Sequence, residues 1–269
     1  MRVYISADME GISGVVAWES TERGKDDYDR MRRLMTEEVN AAIEGALEAG
    51  ATDVVVNDSH GGMRNLILEQ LRPEARVISG DRKPLSMMEG ISSDFDAVFF
   101  VGYHSQACSL GVLNHTYTTR VLQYSVDGKA VGETGMNALI AGFFGVPVVL
   151  VTGDAAVVAE AKGLLGEVET VAVKEARSQY SALCLHPLKA RELIKDAAAR
   201  ALRNVAAYKP LRPGSPSTVR LSFSASGYAD AASIMPGAVR VDPVTVKFTA
   251  PDYLTAYRGA RTMMHLTYA

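Results

Sequence analysis

The sequence predicts an α/β protein. A mostly parallel sheet carries an inserted β-hairpin, and a smaller C-terminal α+β lobe follows. Three observations predict this. Short, continuous apolar runs rich in β-branched residues recur along the first two thirds of the chain, and such runs suit strands covered on both faces. Longer stretches with apolar residues at helical spacing separate them. One segment in the middle alternates instead and contains Asp127-Gly128, a dipeptide that favours a tight hairpin turn.

Taken in order, "VYISA" (3–7) reads as the first strand, and "DRMRRLMTEEVNAAIEGALEAG" (29–50) as a helix that stops at Gly50. "DVVVND" (53–58), "ARVISG" (75–80) and "DAVFFVGYH" (96–104) are further strands. The alternating run 116–131 is the hairpin. Helices over 133–145 and 154–165 flank the strand "PVVLVTGD" (147–154), and "VETVAVK" (168–174) completes the sheet. After residue 180 the character changes. A long amphipathic helix (186–208) leads to a loop with Pro210, Pro213, Gly214 and Pro216. Strands near 218–224 and 244–249 and a helix over 251–266 follow. The expected organisation is a catalytic α/β domain over 1–180 and a smaller lobe over 181–269 that completes the site and the oligomer contacts.

Bulk composition excludes several classes. The chain has 269 residues, 48% apolar and 22% charged, within the globular range, so it can bury a sizeable core. The net charge is −3 and no face-sized basic cluster stands out, which argues against nucleic acid or an anionic membrane as partner. Arg30, Arg32 and Arg33 lie beside acids at helical spacing and read as a solvated face. The two cysteines, Cys108 and Cys184, are too few for a disulfide framework and are expected to be reduced. Cys108 reads as a small buried filler. Asp8 and Glu10 stand where a signal peptide needs an apolar run. The most apolar stretch, 138–152, is broken by Gly142, Gly145 and Pro147 well short of a membrane span of roughly 18 residues. The expected location is the cytoplasm.

Ligands bind open α/β sheets at the carboxyl ends of their strands. The first strand ends in "DMEGISG", with Asp8 and Glu10. The second ends in "NDSHGG", with His60, and the strand over 96–104 ends in "GYHS", with His104. His115 follows in "LNHTY", and Glu133 opens a helix in "GETGMN". Each of these alone has a structural explanation as a cap, a turn residue or a solvated group. Asp58 reads as a turn residue, His186 as structural at a helix start, and His265 as a surface residue. Together the acids and histidines gather at one sheet edge, and carboxylates held close repel unless positive charge lies between them. Mixed His and carboxylate ligands without cysteine suit zinc or manganese, and a metal pair about 3.5–4 Å apart is a common hydrolase clamp. Gly11, Gly14, Gly61 and Gly62 would allow close approach of backbone to such a site. Arg120 and Lys83 are candidates to meet a substrate carboxylate, with surface or interface charge as the plainer explanation.

These motifs, with "ISGDRKPLSMMEG" and "SIMPG", occur together in an order and spacing that resemble the D-aminopeptidase family of zinc peptidases, peptidase family M55, from residue 1 to about residue 250. The resemblance implies two zinc ions per subunit held by Asp8, Glu10, His60, His104 and Glu133. Asp8 would bridge them, one zinc taking Glu10 and His60 and the other His104 and Glu133. His115 matches the family's catalytic histidine, as nucleophile or as base. The implied activity is removal of N-terminal residues of the D-Ala or Gly type from short peptides and amides, and the implied assembly is a homodecamer. An amidase or an L-specific aminopeptidase or dipeptidase could use the same site. A non-catalytic metal- or peptide-binding protein is the alternative from another class, and it has no need of His115.

Overall fold

β1 (Arg2–Ala7) runs through the centre of the molecule with every residue after Arg2 buried, as its unbroken apolar pattern requires. A loop then leads to α1 (Tyr28–Glu48), which buries Met31, Met35, Val39, Ala42, Ile43 and Ala46 along one stripe. β2 (Asp53–Asp58), β3 (Ala75–Ile78) and β4 (Ala97–Tyr103) follow, all parallel to β1. The computed structural model describes residues 1–268.

The hairpin forms around Asp127-Gly128, both at positive φ (50° and 84°), the backbone that a two-residue hairpin turn of this hand needs. Its arms are shorter than the alternating run suggests. β5 spans Val121–Val126 and β6 only Lys129–Ala130, while 116–118 makes an isolated bridge. α2 (Glu133–Phe143), β7 (Val148–Asp154) and α3 (Ala155–Leu165) come next. β8 (Glu169–Ser178) extends past the predicted end and turns into the antiparallel β9 (Ser181–Cys184). α4 (Pro187–Arg203) starts from His186, whose Nδ1 accepts from Leu188 N–H at 3.2 Å, the structural role expected of it. The chain closes with β10 (Ser217–Phe223), α5 (Ser226–Ala232), β11 (Val239–Arg240), β12 (Thr245–Ala250) and α6 (Tyr253–Leu266).

Two sheets result. The larger has the order β3-β2-β1-β4-β7-β8-β9, parallel except for β9, and the smaller is β11-β12-β10-β5-β6 and antiparallel. The fold is therefore mixed α/β, as predicted. Residue 180 does not divide the sheets. β9 and α4 lie after it and complete the larger layer, whereas β5 and β6 lie before it and belong to the smaller sheet. One apolar core, with Val3, Ile5, Val39, Ile43 and Ile194, lies between the larger sheet and α1 and α4. The other, with Tyr4, Phe100, Ile140, Leu221 and Tyr257, lies between that sheet, α2, α6 and the smaller sheet. No helix among the described residues is long and apolar enough to cross a membrane.

The strand order fixes where a site can form. The chain moves outward from β1 to β2 and β3, then crosses back so that β4 lies on β1's other side. The direction of winding reverses between β1 and β4, and the crevice at their carboxyl ends is the ligand position of such sheets.

Candidate metal centre

Asp8 and His104 stand on the two sides of that crevice, each one residue beyond its strand. Asp8 N–H donates to Val101 C=O at 2.8 Å, which anchors it to β4. His60 arrives from just beyond β2, Glu133 is the first residue of α2, and His115 lies in the loop between β4 and β5. Asp8, Glu10, His60, His104 and Glu133 are all buried, at 8% exposure or less. The structure thus brings together all six residues singled out by the sequence.

Asp8 turns its two oxygens to different partners. Oδ1 is 3.3 Å from His60 Nδ1, which also lies 2.8 Å from Glu10 Oε2. Oδ2 is 3.5 Å from His104 Nε2, which lies 3.3 Å from Glu133 Oε1. His115 Nε2 faces both halves, 3.9 Å from Glu10 Oε1 and 3.8 Å from Glu133 Oε1.

Each histidine has its outward nitrogen tied to a backbone carbonyl. His60 Nε2 lies 2.9 Å from Thr21 C=O, His104 Nδ1 3.0 Å from Ser105 C=O, and His115 Nδ1 3.0 Å from Leu113 C=O. A carbonyl can only accept, so these nitrogens carry the proton. In the neutral ring the other nitrogen then presents its lone pair to the centre, the arrangement in which metal-bound histidines are held. Two atoms at the centre, Asp8 Oδ2 and His104 Nε2, are buried without a hydrogen-bond partner. Such orphaned groups cost about 1–3 kcal/mol each unless something satisfies them. Three carboxylates, two such histidines and these orphaned atoms fit a pair of divalent cations, with Asp8 between them.

The electrostatics agree. Burial and then the Glu10 carboxylate raise Asp8 to about 7. Burial opposes protonation of His104, yet Glu133 and Asp8 outweigh it and raise the imidazole to about 10. His60 behaves likewise, with Glu10 and Asp8 overcoming its burial. The three acids demand positive charge among them, and protons on these rings supply it when nothing else does. His115 goes the other way, since burial and then the neighbouring His104 push it below 6.5.

The loop bearing Glu10 is fixed by parts the sequence did not single out. Lys174, buried on β8, donates to the carbonyls of Glu10, Ile12 (3.0 Å) and Val15 (2.5 Å). Glu38 of α1 accepts from Ser13 N–H at 2.9 Å. Gly11 packs so tightly on β4 that a Cβ there would lie 1.9 Å from Tyr103 C=O. Its lack of a side chain thus serves contact with β4, where approach to a metal was expected. Gly102, at φ +73°, gives Asp8 C=O the matching room on that strand. Below the site, Tyr103 Oη bonds Ser6 Oγ (2.7 Å) and Asn137 Nδ2 (2.9 Å). A lysine after an apolar strand run carries no local sequence signal for such a role, because its partners lie some 160 residues away in the chain.

Several other expectations are resolved here. Asp58 accepts from Asn65 N–H and Leu66 N–H and tightens a turn, as expected. Lys83 donates to Asn57 Oδ1 (2.5 Å) and Asp58 C=O (2.7 Å). Arg120 bonds Thr267 C=O and lies over the rings of Tyr228 and Tyr268. Both cations are occupied structurally. Cys108 is exposed, contrary to the buried filler expected, because it sits in the surface loop between β4 and β5. Both cysteines are free.

A cavity of about 490 Å³ opens over the centre, within the range of small-molecule sites. Asp8, Glu10, His60, His115 and Glu133 are among its lining, and Met63, Met87 and Met264 give it apolar wall.

Comparison with known proteins agrees in sequence and in fold. The family model described as peptidase M55, D-aminopeptidase, matches residues 1–262. A D-aminopeptidase of Bacillus subtilis (strain 168) is 42% identical over 267 residues, covering 99% of this chain and 97% of the relative. The solved structure of the Zn-dependent D-aminopeptidase DppA from Bacillus subtilis, described as a self-compartmentalizing protease, superposes with a TM-score of 0.98 at 41% identity. That match covers 100% of this chain and 98% of the other.

Proposed function

The chain belongs to the M55 D-aminopeptidase family, and on that premise we propose that it is a dinuclear zinc aminopeptidase, releasing N-terminal residues of the D-Ala or Gly type from short peptides and amides. One observation carries the assignment of its centre. The two oxygens of Asp8 face two separate histidine–glutamate pairs, as a bridging carboxylate requires. Glu10 and His60 would hold one zinc, and His104 and Glu133 the other.

Bound zinc supplies Lewis-acid polarisation of the scissile carbonyl and lowers the pKa of a coordinated water. The chain's own residues do the rest. The buried carboxylates of Asp8, Glu10 and Glu133 favour a substrate's positively charged amino terminus over its negative end. His115 is no ligand in this scheme. Its Nε2 faces Glu10 and Glu133, its Nδ1–H is fixed by Leu113 C=O, and its ring stacks on His104 and meets Trp18 edge-to-face with centroids 5.1 Å apart. A neutral imidazole so held can take a proton at Nε2 or attack as a nucleophile.

Metal analysis combined with D-Ala, L-Ala and glycine amides and p-nitroanilides tests this. The expected result is two zinc ions per chain and faster turnover of the D-alanyl than of the L-alanyl compounds. Zinc binding without turnover of any of them would favour a binding protein, and L preference would favour the same-site alternative.

The chain is further proposed to assemble as a homodecamer. The related structure is of a self-compartmentalizing protease. Here Leu110 and Ile234 are 95% and 74% exposed, surface that association would cover. Sedimentation equilibrium should give ten copies, and a monomer at working concentration would sink the idea.

A further inference from the structure

The cavity is lined by cations as well as by acids. α6 contributes Arg261, Met264 and His265 to its lining, and Asp81 and Arg82 also line it. Arg261 is the unusual one. Its guanidinium lies 4.6 Å from the centre of the Tyr117 ring, and Tyr117 Oη is bonded to Tyr257 Oη at 2.5 Å, so the stack beneath it is fixed. Its one hydrogen-bond partner among the described residues is His265 Nε2, at 3.1 Å. No described carboxylate pairs with it, whereas Arg2, Arg72 and Arg240, for example, have acidic partners and Arg82, in the same cavity, has none among the described residues. Burial and then Arg261 and Arg82 hold His265 below its ordinary pKa, so its ring is neutral and can accept from the guanidinium.

A guanidinium offers five N–H donors in a planar fork that matches a carboxylate. One donor here is used. Arg261 lines the cavity that contains the candidate metal centre, so an anion there would meet a cation already oriented by the ring below it. We propose that Arg261 receives the terminal carboxylate of a short peptide whose amino end lies at the acidic centre. The inference rests on the aminopeptidase assignment and adds a residue that reads the substrate's carboxyl end. With the acidic cluster and Arg261 lining one cavity, a short peptide with a free terminal carboxylate is favoured over a carboxyl-blocked one. Arg261 is then a specificity residue that touches substrate away from the reacting bond.

The test compares three substrates of the hand that the enantiomer panel selects: alanyl-alanine, its carboxamide, and alanine p-nitroanilide. Arg261→Gln should lower kcat/KM for the free dipeptide roughly 10–100-fold, mostly through KM, since a hydrogen bond to a charged group is lost. Turnover of the carboxamide and the anilide should stay within about twofold, and Arg261→Lys should restore part of the loss. Zinc content and sedimentation of R261Q should equal those of the wild type. Equal losses on all three substrates, or loss of zinc or assembly, would make Arg261 structural and overturn the proposal. So would an unchanged KM for the dipeptide. Wild-type protein that is loaded with zinc and turns over none of the three overturns the aminopeptidase assignment itself. Turnover of the anilide with no effect of Arg261 on the dipeptide overturns only this inference.

Discussion

His104 and His115 stack face to face, with ring centroids 4.1 Å apart and planes 12° from parallel. Two stacked imidazoles cannot both be cationic at low cost. The carboxylates of Glu133 and Asp8 claim His104 for positive charge, which leaves His115 neutral. Position alone thus splits the pair, one ring drawn toward positive charge and the other kept neutral.

His115→Ala should keep zinc near the wild-type content while kcat falls by roughly 10²–10⁴, the usual worth of a positioned acid–base group. Because burial and His104 push His115 below 6.5, its active neutral form persists into mildly acid solution. The acid limb of kcat/KM should lie below that value. A limb well above neutrality, or a variant with near wild-type turnover, would remove His115 from the chemistry.

Asp8→Ala should abolish zinc binding in both positions, because each oxygen of Asp8 faces a different ligand pair. His60→Ala should empty only one. Atomic emission analysis of the dialysed proteins separates these outcomes. Two zinc ions retained without Asp8 would exclude bridging.

Lys174→Met leaves the carbonyls of Glu10, Ile12 and Val15 without their shared donor. Apparent zinc affinity should drop about 10–100-fold, as when outer partners of metal ligands are removed. Competition with a fluorescent chelator measures this. Unchanged affinity would show that Gly11 and Glu38 suffice to hold the loop.

Glu38 tests linkage between pH and stability. Burial raises it from 4.5 to about 7, and its Oε2 has no partner. The folded state therefore binds this proton more tightly than the unfolded chain does. Stability from this group is fully present below pH 4.5 and is lost as pH rises through 7. Glu38→Gln keeps an acceptor for Ser13 N–H and should remove that loss. It should gain on wild type by up to ~3 kcal/mol at pH 8 relative to pH 4 in chemical unfolding. A difference independent of pH would show that Glu38 stays ionised in the fold.

Much of this protein was legible in its sequence because the signals are local. "VYISA", "DVVVND" and "AVFFVGY" are continuous apolar runs, and a strand buried on both faces needs nothing more to declare itself. Asp8, His60 and His104 could be named because each lies within two residues of its strand's end, so the parallel sheet brings them to one edge. Asp127-Gly128 marked the hairpin, though not the sheet that it joins. That depended on β10, nearly a hundred residues later, pairing with β5.

What only the tertiary structure decided is how each residue's neighbours spend its charge. Lys83 and Arg120, which looked available in sequence, are taken up by Asn57, Asp58 and Thr267. Lys174, unremarkable in sequence, fixes the loop that bears Glu10. Arg261, on the last helix, is left facing the cavity without an acid among the described residues. Local pattern sets which residues stand at a strand end. Hydrogen-bonding capacity is divided among groups distant in the chain, so the partner that satisfies or orphans a side chain is known only once the chain has closed on itself.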